Sequence, residues 1–201
     1  MAQNTIRQPR QKRAKETKQA IVAASYTLFC AQGYFKTNTA EIAKEAGVST
    51  GIVYSYFQNK KDILLEVVAL YLHGLSQQLA PLLALPPGKQ TLPATLEQIL
   101  DRLIASHTMS SEAHNEFLAL SYLEPEVARA FNEFENNTLR LVGGLLAAAG
   151  SSQSHLPERI RLCYGIMEQV CHNHIQKKVS PKQEGFAKQL AIQTMVALLA
   201  G

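Results

Sequence analysis

Apolar positions recur at helical spacing along nearly the whole chain, and strand-like alternation is almost absent. Ile21, Ala24, Ser25, Leu28 and Phe29 stand at the i, i+3, i+4, i+7, i+8 positions of one stripe. They predict a first helix ending near Gln32, with Gly33 where a left-handed cap belongs. Thr39 reads as the N-cap of a short second helix ending at Ala46, with Glu41 favouring the helix dipole. Gly47 supplies a tight turn, and Ser49 caps a third short helix, Thr50–Tyr56. Asn59 followed by Asp62 is a variant capping box that starts a long helix reaching about Leu83.

Pro86, Pro87, Gly88 and Pro93 break the pattern over Ala84–Pro93. Helices are then expected over Ala94–Thr108, Glu112–Tyr122 and Pro125–Ala149, with Pro125 in a first turn. A polar loop, Gly150–His155, separates these from two last helices near Pro157–Lys177 and Lys182–Ala200. The expected fold class is all-α, with about nine helices. A three-helix head containing a helix-turn-helix precedes a larger helical domain for ligand binding and dimerisation. The domains read as a flexible basic arm over 1–14, a DNA-binding head over 15–60 and a body over 61–201.

Two short helices around a glycine turn form the generic helix-turn-helix. Ile42, Ala43 and Ala46 point inward from its first helix, and Ile52, Val53 and Phe57 pack back from its second. Thr50, Gly51, Tyr54, Ser55 and Tyr56 are left towards solvent. Short polar and aromatic groups of this kind reach base edges in a major groove, and hydroxyls suit phosphate oxygens.

Charge sharpens this picture. Residues 1–62 carry ten basic and four acidic side chains, a net +6, while the remainder is net −2. A basic head on a near-neutral body is the electrostatic footprint of nucleic-acid binding. The N-terminus is polar and basic, without the apolar run of a signal peptide. Leu190–Ala200 is about half a membrane span. A cytoplasmic protein with no membrane partner is expected.

The head is similar to that of the tetracycline-repressor (TetR) family. The resemblance covers residues 18–64. It is carried by Ile21, Ala23-Ala24, Leu28-Phe29, Gly33-Tyr34, Thr37, Thr39, Glu41-Ile42-Ala43, Ala46-Gly47-Val48-Ser49, Gly51, Val53-Tyr54, Tyr56-Phe57, Lys60-Lys61-Asp62 and Leu64. Asn38 stands where the family often has a second threonine, and Lys61-Asp62 where Lys-Glu is commoner. The resemblance implies a homodimeric repressor that binds a palindromic double-stranded operator and releases it when a small ligand enters the body. Position by position, it implies DNA-facing roles for Thr37, Thr39, Ser49, Thr50, Gly51, Tyr54, Tyr56 and Lys60. Ser55 joins them from its solvent-facing place on the helix, and Arg7, Arg10, Lys12 and Arg13 form an arm that reaches the flanking DNA.

In the body, the last helix has two apolar faces. Phe186, Leu190, Thr194, Ala197 and Leu198 form one, and Ile192, Met195, Val196 and Leu199 the other. One serves the protomer core, so the other needs a partner, and dimerisation through the last two helices is expected. An inducer pocket is expected among Tyr71, Leu75, Leu103, His107, Phe117, Tyr122, Phe131 and Phe134, which combine large apolar surfaces with a few polar tips. The set has no cluster of positive charge, so the expected small-molecule inducer is largely apolar.

Cys163, Cys171, His172 and His174 have the residue types of a zinc or copper site. Cys163, Met167, Cys171 and His174 also share a stripe with Ile160 and Tyr164, and are read as core; His107 and His114 are weaker leads. No metal and no other cofactor is expected. Neither a phosphate loop, a Gly-x-Ser-x-Gly elbow nor a His-Glu-x-x-His pair occurs, and Glu133 and Glu135 lie on different helix faces, so no enzyme is expected.

Overall fold

A computed structural model describes residues 7–83, 92–109, 111–148, 154–177 and 180–200; for residues 7–11, 82, 83, 109, 148 and 200 it describes the backbone alone. Among these residues there are nine helices and no strand: α1 Arg7–Gln32, α2 Thr39–Glu45, α3 Thr50–Tyr56, α4 Lys60–Leu83, α5 Leu92–Met109, α6 Ser111–Leu123, α7 Pro125–Ala148, α8 Leu156–Ile175 and α9 Pro181–Ala200. Most of the expected Ala84–Pro93 break and of the Gly150–His155 loop lies outside the described residues.

The chain divides into two compact units. The first takes residues up to Tyr71 together with Glu112–Ala130, and the second Leu72–Ser111 with the chain from Phe131 onward. The first unit therefore holds α1–α3, the start of α4, α6 and the start of α7. Its core is Ile21, Phe29, Ile42, Val53, Ile63, Leu64, Val67, Val68, Phe117 and Leu120, all essentially buried. By length and composition alone, Lys60–Pro81 would suffice to cross a membrane. Its buried Ile63–Leu64–Val67–Val68 stripe instead belongs to this core.

Two expectations for the N-terminal region change. Residues 7–14 are not an arm but the first turns of α1. Gln, Lys, Arg and Ala favour helix, and Pro9 falls in the first turn, where its missing N–H does no harm. The N-cap of α2 is Asn38, not Thr39: Asn38 Oδ1 accepts from the N–H groups of Ala40 and Glu41, both at 3.0 Å. Glu41 Oε2 reaches back to the Asn38 N–H at 3.0 Å and completes a capping box. Ser49 caps α3 as expected, and Gly33 and Gly47 take positive φ values of 87° and 67°, which suit glycine.

The second unit is built on α5, α8 and α9. Leu96 and Leu100 of α5, Cys163, Met167, Val170 and Cys171 of α8, and Ala191 and Met195 of α9 form one buried cluster. Lys188 of α9 pairs with Asp101 of α5 at 2.6 Å, and Arg159 of α8 donates to the Leu198 carbonyl at 2.8 Å.

Candidate functional site

The turn between α1 and α2 and the helix pair α2–α3 are fixed by a dense set of local bonds. Thr37 Oγ1 donates to the Gly33 carbonyl at 2.9 Å and accepts from Gln32 Nε2 at 3.2 Å. Thr37 is thereby buried, where an exposed side chain was expected. Its hydroxyl closes the loop because the backbone after Gly33 turns inward. Lys60 Nζ donates to the Tyr34 carbonyl at 2.9 Å and to the Thr37 carbonyl at 2.8 Å, and stands 4.3 Å from the centre of the Tyr34 ring. Partial burial lowers its pKa. The ammonium expected on phosphate thus holds the loop that precedes α2.

Thr39 Oγ1 and Tyr54 Oη are hydrogen-bonded at 3.0 Å on the exposed side of α2 and α3. Gly51, Tyr54 and Ser55 are exposed, and Thr50 and Tyr56 are half-buried. Ser49 Oγ accepts from the Ile52 N–H at 3.3 Å, so its first role is the cap. Ser55 Oγ donates to the Ile52 carbonyl at 2.6 Å. Ile52, expected inside, is 39% exposed. Val53 and the C-cap residue Phe57, four positions apart, are buried, and Ile52 stands off their stripe. Arg7 and Arg10 have side chains outside the described residues, and Lys12 and Arg13 are exposed along α1.

The expected pocket residues are divided between the two units. Tyr71 and Phe117 are buried in the first unit with ring centres 5.3 Å apart, and Tyr71 Oη is bonded to His114 Nδ1 at 2.9 Å. Tyr122 is 81% exposed and lines no interior space, because it falls on the solvent side of α6. Leu75, Leu103, Phe131 and Phe134 are half-buried and His107 is buried, all in the second unit. That unit has a cleft of about 990 Å³ between α7 and α8, walled by Asn136, Asn137, Arg140, Gly143, Ile160 and Arg161 among others. None of the eight expected residues lines it. Its polar wall residues carried no signal against the charged surface of α7.

The Cys/His stripe of α8 separates. Cys163 and Cys171 are buried, and burial pushes the Cys163 thiol up to about 11, as expected of a core thiol. His174 is bonded to Glu184. His172 and His107 both face Glu168, with Nε2 atoms 3.7 and 3.4 Å from Oε2. Burial alone would lower the pKa of His107, but Cys171 and Glu168 beside it raise it to about 10.

On α9, Met195 and Ala191 are buried, with Ile192, Val196, Leu198 and Leu199 packed against the core. Phe186 is 68% and Leu190 52% exposed, and Thr194 and Ala197 continue that face. Leu198 thus departs from the face to which its spacing assigned it. On α8, Leu162 is likewise exposed.

Residues 21–67 match the family described as bacterial regulatory proteins, tetR family. The chain is 33% identical over 111 residues to the HTH-type transcriptional regulator TtgW of Pseudomonas putida, spanning 55% of this chain and 78% of that one. It is 29% identical over 163 residues to the HTH-type transcriptional regulator HbdR of an Aromatoleum species, spanning 78% of this chain and 68% of that one. The fold is similar to that of the transcriptional regulator FadR from Bacillus subtilis, solved in complex with stearoyl-CoA, with a TM-score of 0.65 at 19% identity over 91% of this chain and 98% of that one. The chain therefore belongs to the TetR family of DNA-binding transcriptional regulators.

Proposed function

We propose that this regulator is a homodimeric repressor that reads a palindromic operator through α3 and leaves it when a small, largely apolar ligand binds the body. The observation that carries the reading is the outer surface of α2 and α3. There a bonded Thr39–Tyr54 hydroxyl pair stands among Thr50, Gly51, Ser55 and Tyr56, without a carboxylate on α3. Such a surface offers hydroxyl donors, an aromatic face and a side-chain-free position to DNA, and α3 itself carries no carboxylate to repel phosphate. We assign the DNA-facing role to Thr39, Ser49, Thr50, Gly51, Tyr54, Ser55 and Tyr56. Thr37 and Lys60 act from behind, by setting the loop that aims α2. Residues 15–60 are the DNA-binding part in this reading, and 61–201 the ligand-binding and dimerisation part.

Dimerisation is assigned to α8 and α9, because Leu162, Phe186 and Leu190 are large apolar groups left exposed there. Two recognition helices would then address half-sites about 34–36 Å apart, or a multiple of that. The apolar character of the ligand rests on the scarcity of cationic groups among the body aromatics, and the fold neighbour solved with stearoyl-CoA fits a ligand with a long apolar portion.

The test is selection of bound sequences from a random duplex pool, followed by mobility shifts at raised salt. Retention of one palindromic sequence at salt that strips random DNA is expected, since nonspecific affinity collapses with salt. Equal loss of both would overturn the reading. Ligands found by thermal shift should then release the selected operator; a hundredfold release corresponds to about 2.7 kcal/mol of coupling.

A further inference from the structure

We propose that the second unit carries a binding site for a zinc-class divalent transition-metal ion, held by His107 of α5 and by Glu168 and His172 of α8. The ligand atoms of these three side chains lie within 4.8 Å of one another. Nε2 of His107 is 3.4 Å, and Nε2 of His172 3.7 Å, from the same carboxylate oxygen, Glu168 Oε2. Tetrahedral zinc with bonds of about 2.0–2.1 Å sets its ligand atoms about 3.3 Å apart, close to the separations seen here. The two imidazole rings meet at 74° with centres 6.0 Å apart, so neither stacks across the space beside the carboxylate.

The orientation of His107 points the same way. Its Nδ1 is 2.9 Å from the Leu103 carbonyl. A carbonyl only accepts, so Nδ1 carries the hydrogen, and Nε2 is the atom aimed at Glu168. Metal-ligating histidines characteristically donate their other ring N–H to a carbonyl or carboxylate in this way, which fixes tautomer and ring angle before the ion arrives. Glu168 and His172 sit at i and i+4, one above the other on α8. Two imidazoles and one carboxylate suit zinc and its neighbours over calcium or magnesium.

The site differs from the Cys163/Cys171/His174 stripe, and the experiment separates the two. The untagged, chelator-stripped full-length protein is titrated with cobalt(II), and then with zinc(II) against a chromogenic chelator. One ion per chain with the visible absorption of tetrahedral cobalt is expected. Glu168→Gln and His172→Ala should each weaken binding by tenfold or more, the loss that even an outer-sphere partner produces. His174→Ala and Cys163→Ser should bind as the unaltered chain does. His172 and Glu168 are only partly buried, and circular dichroism establishes that the variants are folded. Should a variant not fold, the titration of the unaltered chain still decides. No tetrahedral cobalt spectrum, or folded Glu168→Gln and His172→Ala proteins with undiminished affinity, would overturn the proposal.

Discussion

The Glu116 carboxylate accepts the backbone N–H of Tyr34 at 2.6 Å, joining α6 to the turn that leads into the helix-turn-helix. The same carboxylate lies 3.5 Å from where a Cβ on Gly33 would stand, at a residue whose φ is 87°. A bond from a buried N–H to a charged acceptor is worth about 1.5–3 kcal/mol. Glu116→Ala should therefore lower the unfolding free energy by about that amount, read as a lower urea midpoint at an unchanged denaturant slope. Gly33→Ala adds positive-φ strain of about 1–2 kcal/mol and should also destabilise. Unchanged midpoints in both would remove this link from the account.

Gly51 separates fold from function. Within the protein, the nearest atom to a Cβ placed there is Ser49 Oγ at 3.9 Å, so alanine fits. Glycine in a helix costs roughly 0.5–1 kcal/mol relative to alanine. Gly51→Ala should raise the melting temperature and weaken operator binding at once, because the added methyl meets DNA. Stabilisation with undiminished affinity would place the DNA elsewhere than over Gly51.

Thr37→Val tests the reassignment of that residue. It keeps the shape, removes the hydroxyl that closes the loop on the Gly33 carbonyl, and should cost about 0.5–1.5 kcal/mol of stability. Base preference, measured by selection, should be the same as for the unaltered chain. A changed preference would show Thr37 touching bases.

Lys61 donates to Glu126 at 2.7 Å and Glu124 at 3.1 Å. These bonds raise the pKa of Lys61, and Lys61 holds Glu126 below the usual carboxylate range. A depressed carboxylate stabilises the fold above its ordinary pKa, and the effect is lost as acid carries the pH down through the folded value. A raised lysine stabilises below its ordinary pKa and ceases to do so as the pH climbs past the folded one. Lys61→Met should thus lower stability across the neutral range, and the difference should vanish in acid and shrink at high salt. Urea titrations at several pH values check this; a constant difference would count against the ion pairs.

Phe186→Glu or Leu190→Glu should convert a dimer into monomers with the helical spectrum intact, since neither side chain fills the protomer core. Sedimentation velocity reads the outcome. An undisturbed dimer would move the interface away from this face of α9.

The helices were readable because their signals are local. Gly33, Gly47 and Ser49 act on their own turns, and the Ile21–Phe29 stripe reports its face without reference to the rest of the chain. Asn38 and Thr39 are adjacent cap formers, and only the backbone φ and ψ at Asn38 decide between them. Ile52 looked internal by composition, yet the buried stripe runs through Val53 and Phe57, four positions apart, and Ile52 stands off it. Tyr122 failed as a pocket residue for a related reason: large aromatic groups mark burial only on average. The approach of His107 to Glu168 and His172 joins positions more than sixty residues apart. The i, i+4 pair on α8 was visible, but nothing in the spacing says which side chain of α5 comes to meet it.

The Thr39–Tyr54 bond has a consequence for association. An exposed tyrosine ordinarily samples several rotamers, and fixing such a side chain at an interface costs about 0.5–1.5 kcal/mol of conformational entropy. Here the ring of Tyr54 is already tethered at its far end by a residue from the preceding helix. Much of that entropy is lost when the protein folds, not when it meets DNA. The unbound head then presents a stiff, pre-shaped hydroxyl pair, and operators that match it need induce little reordering of this part of the surface.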